Sequence, residues 1–82
     1  MEIDGYRVSE DSLLIEKSIA DLQVRKKTGA TIIAVRRGPK VFANPEPHFR
    51  FKGGDIILFT GNRKSMDAAL TYFRGEIVTL QS

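Results

Sequence analysis

Val24-Arg25-Lys26-Lys27-Thr28-Gly29-Ala30-Thr31-Ile32-Ile33-Ala34-Val35-Arg36-Arg37-Gly38 decides how this chain is read. A basic turn closes on Thr28-Gly29. A β-branched apolar run follows, and two arginines then stop at a glycine. Such a run predicts a buried strand over residues 30–36. Strict alternation sets Thr31, Ile33, Val35 and Arg37 on one face, and Ala30, Ile32, Ala34 and Arg36 on the other. Near-continuous apolarity predicts that both faces are covered. The strand carries cationic side chains to its far end, where an anionic ligand is expected.

Working outward, Gly38-Pro39 is a turn signal, and Lys40–Ala43 returns as a third strand to make a hairpin. Asn44-Pro45-Glu46-Pro47 cannot be helix, because each proline lacks a donor and holds its predecessor extended. Lys52–Asp55 reads as a second tight turn, and Ile56–Thr60 as a central strand. Towards the N-terminus, Gly5–Val8 is a short first strand and Ser9–Ser12 polar turn material. Ser18 predicts an N-cap for a short helix over Ser18–Leu22, with Asp21 as its capping-box partner. Asn62 predicts a second N-cap. Met66, Ala69, Leu70 and Phe73 then share one helical face, and Gly75 is a fitting stop. Phe42, Phe59 and Phe73 fall at core positions. Glu76–Leu80 alternates weakly and reads as an edge strand or docking segment. The sum is a single domain over 1–82, α+β, with two helices packed on a small mixed β-sheet.

The bulk numbers bound what such a domain can do. With 82 residues the core is marginal, since about 60–65% of the unfolded surface is buried at this size. Self-association or attachment to a larger chain is the usual remedy. There is no cysteine, which excludes disulfides and thiolate metal sites. No apolar run approaches the roughly 18 residues of a membrane span. The acidic start, Met1–Gly5, is not a signal peptide and fits a piece cut from a longer protein. Residues 1–22 carry a net charge of −4 and residues 23–40 carry +6 with no acid. That polarity suggests a basic surface for a phosphate or an acidic partner. The plainer alternative for Arg25-Lys26-Lys27 is a solvated turn facing the acidic N-terminal segment.

Catalysis finds no support. His48 is the one histidine, and no nucleophile elbow, carboxylate pair, Walker loop or dinucleotide fingerprint is present. No metal site and no cofactor are expected. Nucleic-acid binding is disfavoured, because the basic residues sit in one turn and one strand end and the aromatics are needed in the core. A small anionic ligand fits better. Arg37 offers a bidentate fork on the same strand face as Ile33. Asn44 offers donor and acceptor to a base edge. Pro45 and Pro47 stiffen the region, and His48 adds a pH-sensitive contact.

Several stretches in order, Leu14–Arg25, Lys27–Gly38, Asn44-Pro45 and Gly53–Gly61, make the chain resemble a known family over about residues 6–72. It is the C-terminal regulatory domain of bacterial and archaeal potassium-transport regulators, the RCK_C or TrkA-C domain. The resemblance implies a ligand-sensing module that is not an enzyme. It implies a two-fold homodimer, working with a membrane cation channel or transporter subunit, cytoplasmic and without membrane insertion of its own. In several members cyclic di-AMP lies between two protomers, its adenines on aliphatic side chains. On this chain that role falls to Ile33, Arg37, Asn44, Pro45 and His48. Glu16 stands where the family usually has glycine, so the approach to the first helix is expected to differ. The glycine-rich nucleotide motif of the companion RCK_N domain is absent. A dimerisation or docking module without ligand is the alternative reading, and a nucleic-acid-binding domain the third.

Overall fold

The computed structural model describes residues 1–75, so the expectation for Glu76–Leu80 lies outside the described residues. The elements run β1 (Glu2–Arg7), α1 (Ile19–Leu22), α2 (Val24–Thr28), β2 (Thr31–Arg37), β3 (Lys40–Ala43), β4 (Ile56–Gly61) and α3 (Arg63–Phe73). The four strands form one sheet in the order β1-β4-β2-β3. β4 is central, as its sequence implied.

The α+β class stands, but the sheet is not mixed. Every pairing in it is antiparallel. β2 and β3 are joined by a tight hairpin, which brings strands together antiparallel, whereas parallel neighbours need a crossover of a dozen or more residues. One parallel contact exists, an isolated bridge between Ile15 and Phe51 outside the sheet.

The basic turn is a further correction, because Val24–Thr28 is a short helix. Gln23 separates it from α1 by taking a left-handed conformation, φ 47°. Thr28 donates its hydroxyl to the Val24 carbonyl and accepts from the Ala30 N–H. Those two bonds stop the helix and launch β2. The α1 cap is as expected: Ser18 Oγ accepts from Asp21 N at 3.0 Å, and Asp21 Oδ2 accepts from Ser18 N at 3.1 Å. Hydrogen bonds from the Ser18 backbone N–H and hydroxyl hold the exposed Asp21 carboxyl below its ordinary pKa. Asn62 likewise caps α3 through the Ser65 N–H.

Glu16 takes φ 68°, the backbone region that glycine occupies without cost. The path into α1 therefore keeps the glycine conformation with a side chain added, and the left-handed region costs an L-residue about 1–2 kcal/mol. Glu16→Gly is accordingly expected to stabilise the domain by about 1 kcal/mol, read as a higher urea midpoint. A lower midpoint would show that the exposed Glu16–Lys52 contact at 3.5 Å outweighs the backbone.

The core lies between one face of the sheet and the helices. Val8, Val35, Phe51, Ile57 and Phe59 are fully buried, with Met66, Ala69 and Phe73 from α3 packed over them. Among the described residues the opposite face is only partly covered, against what its apolarity suggested. Ile3 and Val41 are 67% and 62% exposed, and Ile56 and Leu58 are half-buried. Cross-strand partners share a face, so the pairings Ile3↔Thr60, Gly5↔Leu58, Ala34↔Ala43 and Arg36↔Val41 place these residues together on that side. On the core side Phe42, paired with Val35, is only half-buried and meets Phe49 at a tilt of 58° with ring centroids 5.1 Å apart.

Simple alternation also fails in β2. The pairing with β4 steps from Ile32↔Phe59 to Ala34↔Leu58, a bulge that inserts Ile33. The extra residue shifts the phase of the strand. Ile32 packs on the core together with Val35, although their spacing is odd.

Candidate ligand site

Arg37 continues β2 beyond the bulge and turns inward to Asp55. Its Nε donates to Asp55 Oδ1 and its Nη2 to Asp55 Oδ2, each at 2.8 Å, and Nη2 also donates to the Arg50 carbonyl at 3.0 Å. Asp55 is completely buried, while the Arg37 side chain is 32% exposed. The guanidinium carbon lies 5.5 Å from the Phe42 ring centroid and 4.9 Å from that of Phe49, within cation–π range. Asp55 also accepts from the Lys52 N–H at 2.9 Å. Burial pushes the Asp55 carboxyl up, but the Arg37 hydrogen bonds, the Lys52 N–H and both charges outweigh it and leave the pKa below its ordinary value. The Asp55 hydrogen bond raises the Arg37 guanidinium in turn.

The sequence reading took Asp55 for a turn residue and Arg37 for a ligand fork. The structure pairs them across 18 residues of chain. Neither residue type nor local spacing signals such a contact. Phe49 and Phe51 were also missed; their signal is an alternation, Phe49-Arg50-Phe51, too short to separate strand from loop.

The other candidates gather beside β2. Asn44 leaves β3 with φ 47°, and its N–H donates to the Ile33 carbonyl at 2.9 Å. Ile33 is half-buried at the bulge. Pro45 is half-buried and His48 exposed on the segment that follows. That segment is pinned against α1, where Ala20 N donates to the Pro47 carbonyl at 3.0 Å and Ile19 N to the Phe49 carbonyl at 3.1 Å. Asn44, Pro45 and His48 thus lie on one short segment between Ile33 and the start of α1. Arg37 stands at the far end of β2.

None of the five lines either of two open clefts among the described residues. The larger, about 380 Å³, runs between α1, α2 and the start of β2 over Ile19, Ala20, Val24, Ala30 and Ile32, and is bounded by Gln23, Arg25 and Lys26. The smaller, about 260 Å³, lies by Leu13, Leu22, Tyr72 and Phe73. Among the described residues no three His, Cys, Asp or Glu side chains converge to hold a metal ion. No helix there is long and apolar enough to cross a membrane.

A family model, the TrkA-C domain, matches residues 5–74. The chain is 38% identical over 66 residues to the probable potassium channel protein 2 of Methanocaldococcus jannaschii, covering 80% of this chain and 19% of that protein. A second potassium channel protein of that organism is matched over 22% of its length, so the chain spans about a fifth of these curated relatives. Among solved structures, the RCK_C domain dimer of S. agalactiae BusR in complex with c-di-AMP superposes with a TM-score of 0.78 at 37% identity, over 89% of this chain and 96% of that one. BusR is also known in complex with its busAB-promotor DNA. The RCK C domain of the potassium transport protein KtrA, again with c-di-AMP, superposes with a TM-score of 0.73 at 29% identity, over 80% of this chain and 75% of that one.

Proposed function

Since the chain belongs to the TrkA-C domain family, we propose that it is the ligand-sensing regulatory domain of a potassium or cation/proton transport system, cytoplasmic and not an enzyme, which binds cyclic di-AMP across a two-fold homodimer. The observation that carries this reading is the likeness to the BusR RCK_C dimer with c-di-AMP, which spans nearly all of both chains. The geometry is consistent with it. The Asn44 N–H bonds to the Ile33 carbonyl, Pro45 and His48 follow on the same segment, and none of the four lines either cleft, which supports a site that needs a second chain to complete it. A ligand bridging two protomers favours one relative orientation over another by its difference in affinity for the two, and no more. That shift would pass to a channel or transporter subunit.

Calorimetric titration with cyclic di-AMP, with ATP and NADH as controls, tests the reading. The expected result is one cyclic di-AMP per two chains. Asn44→Ala is expected to weaken binding about tenfold, the equivalent of about 1.4 kcal/mol for its base-edge hydrogen bonds. No heat from a folded, dimeric sample would overturn the ligand. The apolar sheet face bearing Ile3 and Val41 would then favour the second reading, a dimerisation or docking module.

A further inference from the structure

The cation expected to meet the ligand's phosphates is already neutralised. Arg37 gives two donors to Asp55 and a third to the Arg50 carbonyl. It retains direction as a donor but adds no net positive charge. A doubly anionic ligand needs cations from elsewhere. Arg25 and Lys26 are exposed, and make no ion pair or side-chain hydrogen bond among the described residues. Both line the larger cleft, whose floor is aliphatic.

That cleft adjoins the candidate residues on two sides. Ile32 lines it and Ile33 follows directly. Ala20 and Ile19 line it, and their N–H groups hold the carbonyls of Pro47 and Phe49 on either side of His48. Gln23 lines it too, in a left-handed conformation and without a side-chain cap bond. Strained backbone of this kind persists where the surroundings or a function require it. Here it ends α1 and separates it from α2.

Building on the reading above, we infer that the cleft between α1, α2 and β2 extends the cyclic di-AMP site. A base lies on Ile19, Ala20 and Ile32, and Arg25 and Lys26 supply the charge that the phosphates need. The competing role for these cations is local: they sit in the last turn of α2, where positive charge offsets the exposed carbonyls. That role affects stability and leaves affinity alone.

The test is the double variant Arg25→Gln/Lys26→Gln in the whole chain, titrated with cyclic di-AMP at two salt concentrations. Its control is Lys64→Gln/Arg74→Gln, which removes the same charge from α3 and its C-cap. Affinity is expected to fall about tenfold or more in the first pair, with a flatter salt dependence and little change in thermal midpoint. The control pair is expected to bind like the parent. Equal binding by the first pair would overturn the inference and leave the ligand standing. An equal loss in both pairs would reduce it to net-charge steering and overturn it as a site. A parent chain that binds no cyclic di-AMP would overturn the ligand and this inference together.

Discussion

Arg37→Ala is expected to destabilise the domain by about 3–5 kcal/mol, because it strands the fully buried Asp55 carboxylate without its counter-charge. A domain of this length has a total stability on the order of 4–12 kcal/mol, so the loss is a large fraction of the whole. The variant also removes the guanidinium that lies over the Phe42 and Phe49 rings. Urea denaturation followed by circular dichroism reads the effect; a midpoint equal to the parent's would refute the geometry. Arg37→Leu with Asp55→Leu is expected to recover much of the loss, since two apolar groups leave no charge unpaired. Ligand binding by Arg37 variants is meaningful only on samples shown to be folded.

The same pair sets an acid limit. The folded pKa of Asp55 lies below the unfolded value, so the unfolded chain takes up the proton first as pH falls. The contribution of Asp55 is complete above the unfolded pKa, about 3.9, and disappears as pH drops through the folded one. The parent is therefore expected to lose stability below about pH 4. Arg37→Ala, lacking the partner that lowers the pKa, is expected to lose less in that window. Parallel pH profiles for the two proteins would contradict this.

Phe51→Ala is the second large effect, about 3–5 kcal/mol for a buried aromatic truncated in a packed core. Phe51 is fully buried and meets Phe49 edge-on at 5.8 Å. Its N–H donates to the Lys17 carbonyl, and its own carbonyl accepts from the Glu16 N–H. Truncation keeps those main-chain bonds but removes the ring contact with Phe49, on the segment that carries His48, as well as the core packing. The expected sign is a lower urea midpoint at unchanged m-value. Phe42→Ala, at a half-buried site, is expected to cost clearly less. Similar losses at both positions would contradict the burial pattern.

Local chemistry announced much of the fold. The Ser18–Asp21 box, the Asn62 cap, the helical spacing of Met66, Ala69 and Phe73, and the turn signals at Gly38-Pro39 and Gly53-Gly54 each act over a few residues. A linear reading finds such signals. The bulge at Ile33 escaped because one inserted residue leaves no compositional mark. The helix over Val24–Thr28 escaped because three consecutive charges resemble a solvated turn; tertiary contacts hold it, with Val24 in the core and the Lys27 ammonium 5.7 Å from the Tyr72 ring centroid.

The candidate site divides in the same way. The non-helical course of the segment that carries Asn44, Pro45 and His48 was legible because proline stiffens its neighbours wherever it stands. The partner of Arg37 was not, because a salt bridge depends on which strand ends the fold brings together. Nor was the place of Arg25 and Lys26 at the cleft, which enters the proposal only because Asp55 pairs with Arg37. By itself the sequence determined the order and type of most elements, their caps and turns, and the polarity of charge along the chain, all of which arise from interactions within a few residues. The tertiary structure alone decided which charges are paired, which face of the sheet stays open and where the concave surface lies, because those depend on distance in space rather than along the chain.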